Sequence, residues 1–224
     1  MATGTVLIAG ANRGLGLELA RQLSASGYHV ISANRGTPAE RLQQVEHVAL
    51  DLASEASIAQ LASQLDGRPI DYLINNGAIA GDQGGLPGLT SEGFLEVMAV
   101  NTLGPLLMAK YLMPHLMRGS RRVIANISSR VGSISEGIID EGNYAYCVSK
   151  SALNMVSAKL AFHHGGQGLC VLSLHPGWIR TEMGGADAPL DVSASAADLI
   201  GLITGATAGD NGTYRSYDGK DIGW

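Results

Sequence analysis

Apolar runs rich in Val, Ile and Leu alternate along the chain with longer segments of helical spacing. The first run, residues 5–9, precedes a segment over 14–26 in which Leu15, Leu19 and Leu23 recur at i, i+4 and i+8, one face of a helix. The same reading predicts strands at 28–33, 47–50, 70–74, 122–127, 169–174 and 213–216. It predicts helices near 38–45, over 54–65, near 91–117 with a break around Asn101 to Pro105, over 144–164 and near 195–203. The segment 81–88, rich in glycine, reads as a flexible loop. Strands without polar alternation, separated by helices, belong in a parallel sheet covered on both faces. Right-handed crossovers then lead to an α/β fold, a single-domain doubly wound parallel sheet of the Rossmann type spanning residues 1–224.

Composition supports a packed core: 46% of the 224 residues are hydrophobic and 16% charged, against a usual charged share of about 25%. Intrinsic disorder is excluded. The net charge of −5 argues against binding nucleic acid or an anionic membrane through a general positive field. Two cysteines, Cys147 and Cys170, provide neither a disulfide framework nor metal-ligand spacing, and imply a reducing compartment. The opening stretch MATGTVLIAGANRG lacks the basic region of a secretion signal, so a cytoplasmic location is expected. The most membrane-like stretch, 97–117, is interrupted by Asn101, Pro105, Lys110, Pro114 and His115 and reads as a buried helix instead.

Candidate chemistry begins directly after the first strand, in GANRGLG, where Gly10, Gly14 and Gly16 open the first helix. Glycines here allow a tight turn and let the backbone approach a pyrophosphate held by the helix N-terminus. In a glycine-rich chain the pattern gains its weight from this placement between strand and helix. At the end of the second strand an acid would accept bonds from an adenosine 2′-hydroxyl, but Asn34 and Arg35 stand there. Arg35 and Arg13 offer charge-assisted bonds to a 2′-phosphate instead. NADP(H) is therefore the expected cofactor, with NAD(H) the alternative. In the helix over 144–164, Tyr146 and Lys150 share a face at i, i+4. A neighbouring ammonium favours the phenolate and brings the tyrosine towards the range useful for proton transfer.

The ordered set Gly10/Gly14/Gly16, Asp51, Asn75 to Ala78, Asn101, Ser128 and Ser129, Tyr146/Lys150, Pro176 and Gly177, then Thr181 resembles the short-chain dehydrogenase/reductase family over essentially the whole chain. The stretches ISSRVGSI, YAYCVSKSALN, HPGWIRTEMGG and SYDGKDIGW are most similar to its C-factor and sniffer-like carbonyl reductase branch. The resemblance implies an enzyme, an NADPH-dependent reductase of small aldehydes or ketones. Tyr146 would be the general acid, Ser129 a second donor to the carbonyl oxygen, Lys150 the partner of Tyr146 and of the nicotinamide ribose, and Asn101 the anchor of a proton-relay water. Asp51 would meet the adenine, Asn75 would lie near the cofactor, and Thr181 would hold the carboxamide. Asn12, Arg13, Leu15, Arg35, Leu52, Gly77, Pro176, Gly177 and Ile179 complete the implied cofactor contacts. The rivals are an NAD(H)-dependent alcohol dehydrogenase of the same fold and a C-factor-like signalling protein with incidental activity.

Three departures from the family pattern matter. Asn-Asn-Gly-Ala replaces the usual Asn-Asn-Ala-Gly; Ser129 lies 17 residues before Tyr146, longer than usual, which leaves Ser128 as an alternative to Ser129; and Tyr144 stands as a second tyrosine beside the proposed acid. Tyr144 has Val148 rather than a lysine one turn on, which favours Tyr146 as the acid. A homodimer or homotetramer paired through 101–117 and 144–164 is implied by the resemblance. Substrate choice is expected from 81–89, 132–143 and 182–192, segments with no distinctive anchor, and the short interval after Thr181 suggests an open site.

Overall fold

The computed structural model describes residues 3–37, 40–82, 84–136 and 143–224. Seven strands run in the order β1 (Thr5–Ala9), β2 (His29–Asn34), β3 (Val45–Ala49), β4 (Tyr72–Asn75), β5 (Val123–Ile127), β6 (Cys170–His175) and β7 (Thr213–Ser216). The helices are α1 (Gly14–Ala25), α2 (Glu55–Gln64), α3 (Gly85–Gly88), α4 (Ser91–Met98), α5 (Gly104–Arg118), α6 (Tyr144–His164) and α7 (Val192–Thr204). The strands form one parallel sheet in the order β3-β2-β1-β4-β5-β6-β7. This is the doubly wound arrangement expected, and its order reverses between β1 and β4, where such sheets bind ligands beyond the carboxyl ends of the strands.

The pleat explains the unbroken apolar runs. Val6 and Ile8 of β1 pack with Leu15, Leu19 and Leu23 of α1 and with Leu199 and Ile203 of α7. Leu7 and Ala9 face the opposite way, onto Ile58 and Leu61 of α2 and Met108, Leu112 and Leu116 of α5. Residues of the central strands therefore meet a helix whichever way they point, and removing this apolar area from water is the main driving force for the layered structure.

Three expectations need correction. Residues 40–44 do not form a helix and β3 begins at Val45, two residues earlier than predicted; positions 38 and 39 lie outside the described residues. Only Leu42 among Arg41, Leu42, Gln43 and Gln44 is apolar, so a helix there could bury one side chain, whereas β-branched Val45 pairs with Val30 in the sheet. The predicted break near Asn101 is a π-helical turn, Ala99–Leu103, that carries α4 into α5 without interruption. Pro105 sits within the first two positions of α5, where its missing N–H is tolerated. Lastly, the segment expected as a loop contains the short helix α3, with Gln83 outside the described residues.

Candidate active site

The carboxyl end of β1 delivers the chain to Gly10, whose φ of +84° is the left-handed conformation that favours glycine. A Cβ at Gly16 would lie 2.6 Å from Asn76 Nδ2, and one at Gly77 would lie 2.7 Å from Leu52 Cδ1. Three bare backbone segments thus meet where β1, α1 and β4 converge. Asn76 Nδ2 donates to the Gly10 carbonyl at 2.6 Å, and the Ala11 N–H donates to Asn34 Oδ1 at 2.6 Å. Asn34 donates in turn to Ser32 Oγ at 2.7 Å. Leu15 is buried beneath the turn and Asn12 is half-buried. Arg13 caps α1 without a side-chain cap bond and the first turn holds no acid, so the amides of this helix end are available to an anion. The cradle fits a dinucleotide pyrophosphate: a side chain at Gly16 would strike Gly10 and Asn76 and one at Gly77 would strike Leu52, so the glycines let these segments close on one another and leave the bare N-terminus of α1 to the phosphates.

Arg35 follows β2 and is exposed beside this cradle. Arg13, expected to share a 2′-phosphate with it, forms an ion pair with Glu182 from the segment after β6. Asp51 is half-buried after β3 and accepts the Ala53 N–H at 3.0 Å; Leu52 is also half-buried. The chain after β6 folds over the same end of the sheet. Gly177 has φ +82°, Pro176 accepts the Ser195 hydroxyl at 2.7 Å, and Ile179 is buried and bridges to Leu190. Thr181 Oγ1 accepts the Gly184 N–H at 3.1 Å, and its methyl lies 3.4 Å from where a Gly14 Cβ would stand. This segment is held by its own bonds, Trp178 Nε1 to the Gly184 carbonyl at 2.7 Å among them.

The carboxyl ends of β4, β5 and β6 and the first turns of α6 hold the second group of residues. Ser128 is buried and donates to Asn154 Oδ1 at 2.7 Å. Ser129, half-buried, opens the turn Arg130–Gly132, and no residue among those described bonds its hydroxyl. Of the two serines, the geometry favours Ser129 as the one that can turn to a ligand. Lys150 is 2% exposed, donates to the Ile127 carbonyl at 2.8 Å, and places Nζ 5.4 Å from the centroid of the Tyr146 ring. Burial pushes its ammonium down to about 8. Tyr146 is half-buried on the same face, whereas Tyr144 is exposed and one turn from exposed Val148. His175 accepts the Arg130 N–H at 3.2 Å through Nδ1, and burial pushes its imidazole down to about 4, so it is a neutral structural acceptor.

Asn101, in the π-helical turn, accepts the Ile79 N–H at 2.9 Å and donates to the Ile79 carbonyl at 2.9 Å and Ser149 Oγ at 3.0 Å. Both amide hydrogens are therefore engaged, and its link to α6 runs through Ser149, which donates to the Tyr146 carbonyl at 2.7 Å. Asn75 Nδ2 donates to Asn126 Oδ1 at 2.7 Å, and Asn126 Nδ2 donates to Ser157 Oγ at 2.8 Å. Asn75 Oδ1 is buried with no partner among the described residues.

Sequence reasoning did not single out Asn126, Ser149, Asn154 or Glu182, and it read Asn34 only as the absence of an acid. A signal for Asn154 exists: Tyr146, Lys150 and Asn154 recur at i, i+4 and i+8, a polar stripe on a helix face that packs inward. Glu182 had none, since its pairing with Arg13 joins residues 169 positions apart.

A sheet that reverses order at a bare glycine crevice, beside a tyrosine and a buried lysine on one helix face, defines a Rossmann-fold oxidoreductase. The chain belongs to the short-chain dehydrogenase/reductase family, whose model for short chain dehydrogenases matches residues 4–189. It is an NAD(P)-dependent oxidoreductase. The C-signal protein of Myxococcus xanthus is 34% identical over 156 residues, 70% of this chain and 93% of that protein. The carbonyl reductase Sniffer of D. melanogaster superposes with a TM-score of 0.91 at 31% identity, covering 99% of each chain. The NADPH-bound carbonyl reductase from chicken fatty liver gives a TM-score of 0.91 at 28% identity over 100% of this chain and 95% of that one. Among the described residues no helix is long and apolar enough to cross a membrane.

Proposed function

We propose that the protein reduces small aldehydes or ketones with NADPH, with Tyr146 as the general acid. The observation that carries this reading is the Lys150 ammonium, buried at 2% exposure and 5.4 Å from the Tyr146 ring centroid, at the same end of the sheet as the glycine cradle. A positive charge held there in low dielectric favours the phenolate that Tyr146 becomes on giving up its proton. A reduced nicotinamide, when bound, would supply a hydride to the carbonyl carbon. As the C=O bond opens, Tyr146 O–H transfers its proton to the oxygen and the Ser129 hydroxyl donates a bond to it; both act where negative charge develops. Gly10, Gly14 and Gly16 would hold the pyrophosphate, Lys150 the ribose, and Thr181 with Ile179 the carboxamide end. Arg35, with Arg13 once it leaves Glu182, would hold the 2′-phosphate. The absence of an acid at the end of β2 supports NADPH over NADH.

NADPH absorbance with a panel of neutral carbonyls tests the reading. Tyr146→Phe is expected to abolish turnover while leaving NADPH affinity intact, and Tyr144→Phe to spare it; the reverse pattern would refute the assignment. A second reading, in which signalling is the main role, is supported by the likeness to the C-signal protein. A Tyr146→Phe variant that kept a biological effect without oxidising NADPH would favour it. The reading includes self-association, supported by Leu103, Leu106, Met155 and Phe162, which are exposed on α5, α6 and the turn before α5. Light scattering at micromolar concentration is expected to give a dimer or tetramer mass, and a monomer mass would count against it.

A further inference from the structure

We infer that Tyr214 is a positioning residue for the proposed carbonyl reduction, holding Ser129 in place through its backbone and making β7 and the segment after it part of the substrate side of the site. The inference rests on the role given to Ser129 above. Tyr214 lies in β7 opposite Ser173 of β6 and is 2% exposed, yet its hydroxyl donates to the Ser129 carbonyl oxygen. The same oxygen accepts the Gly132 N–H at 2.9 Å, so the carbonyl that opens the turn Arg130–Gly132 is clamped from two sides. With the peptide plane after Ser129 fixed, its extended backbone (φ −157°, ψ 147°) leaves χ1 as the main freedom by which the hydroxyl is aimed.

Two further connections make this a brace rather than a single contact. The Tyr214 ring lies against Trp224 with centroids 5.4 Å apart, and the Ile222 N–H donates to the Tyr214 carbonyl at 2.8 Å. The Trp224 carbonyl accepts the Ser135 N–H at 2.9 Å, and the Gly223 carbonyl accepts the Ser133 hydroxyl at 2.5 Å. The segment after β5 is therefore tied to β7 itself at Ser129 and to the segment after β7 at Ser133 and Ser135. Burial also pushes the Tyr214 phenol up to about 12, which keeps it a donor at any working pH. A buried phenol costs stability unless bonded; here it donates to the Ser129 carbonyl, with the Ser128 and Asn154 side chains as its other polar neighbours.

The test is a double-mutant cycle with Tyr214→Phe, Ser129→Ala and both, read as kcat and KM for a neutral aromatic aldehyde and as NADPH affinity by fluorescence. Tyr214→Phe keeps the ring against Trp224, so the fold is retained. It should lower kcat about five- to tenfold, the effect of one lost hydrogen bond, with NADPH affinity unchanged. In the Ser129→Ala background the same substitution should have no further effect. Independent multiplicative effects, or a wild-type kcat for Tyr214→Phe while Ser129→Ala is impaired, would overturn the inference alone. An unimpaired Ser129→Ala would overturn the Ser129 assignment and the inference with it. Trp224→Ala, at a half-exposed ring, provides a second route to the brace: it should lower kcat in the wild-type background and not in Ser129→Ala, and equal effects in both would refute the coupling.

Discussion

Replacing Lys150 with methionine separates the energetic cost of its buried charge from its part in the site. The side chain is 2% exposed and makes one hydrogen bond, to the Ile127 carbonyl at 2.8 Å. Burial lowers its pKa from 10.5 to about 8, so the folded protein holds the proton more weakly than the unfolded chain by about 3 kcal/mol. Below pH 8 both states are protonated and the whole penalty falls on the folded state. Between pH 8 and 10.5 the folded protein releases the proton while the unfolded chain keeps it, so stability rises with pH across that window. Methionine fills a similar volume without a charge. After about 1 kcal/mol is deducted for the lost bond to Ile127, Lys150→Met should stabilise the protein by about 2 kcal/mol at pH 7, a rise of about 4–8 °C in Tm for a chain of this size. The gain should shrink as pH climbs from 8 towards 10.5, and carbonyl reduction should fall by at least about 100-fold at every pH. Thermal and urea melts at pH 7, 8.5 and 10, paired with NADPH-oxidation rates, measure all three quantities. A variant less stable than wild type at pH 7, with a difference that stays flat up to pH 10, would refute the reasoning.

The Arg13–Glu182 pair is mostly exposed, with side chains 61% and 74% accessible, so it is worth under about 1 kcal/mol. Glu182→Gln should free Arg13 and tighten NADPH binding about two- to fivefold with NADH affinity unchanged, whereas Arg35→Asp should weaken NADPH about tenfold or more and spare NADH; fluorescence titration with both cofactors decides, and equal changes for the two would contradict the assignment. At the opposite end of the sheet, burial pushes the Asp71 carboxyl up, but bonds from the Thr5 N–H at 2.8 Å, the Ser120 N–H and hydroxyl at 2.7 Å each and the Arg121 N–H at 3.3 Å outweigh it and hold its pKa below the usual range. The stability this provides is present above about pH 4 and lost as pH falls through the lowered value. Asp71→Asn should therefore cost about 2 kcal/mol at pH 7 in urea melts and progressively less towards pH 2; an equal cost at both ends of that range would show that charge is not the cause.

The parts of the fold legible in the sequence are those in which one rule acts alone. β1 matched residue for residue because Thr5 and the four apolar residues after it are bounded by glycines, and α6 because no glycine or proline interrupts Tyr144–His164. The stretch 40–45 was misread because a proline followed by Leu42 and Val45 imitates a helix start, while the competing pull, pairing of Val45 with Val30, comes from a distant strand. The turn at Asn101 was legible as an irregularity but not as a π-helix, since what holds it open is the bonding of Asn101 to Ile79, 22 residues away. Of the candidate site, the glycine cradle and the Tyr146–Lys150 pair were legible as local patterns. The bond of Ser128 to Asn154 and the engagement of Arg13 by Glu182 were not, since neither partner is close in the chain.

The same comparison explains why polar residues occur in the centre of this sheet. Asn126 sits in the fourth of five positions of β5, a buried strand where an amide without partners would be costly, and Ser149, Lys150, Asn154 and Ser157 are buried along α6. Each satisfies another: Asn126 bonds Asn75 and Ser157, Ser128 bonds Asn154, Lys150 bonds the Ile127 carbonyl, and Ser149 bonds Asn101 and the Tyr146 carbonyl. Burial strengthens every one of these bonds and penalises the loss of any partner, so the network fixes the angle of α6 to the strand ends more firmly than apolar packing, which tolerates sliding, could do. A helix held that way fixes Tyr146 relative to Lys150 and the carboxyl ends of the strands. An Asn in the middle of an otherwise aliphatic strand, opposite a helix with polar residues at i, i+4 and i+8, is thus a mark of site geometry built into the core.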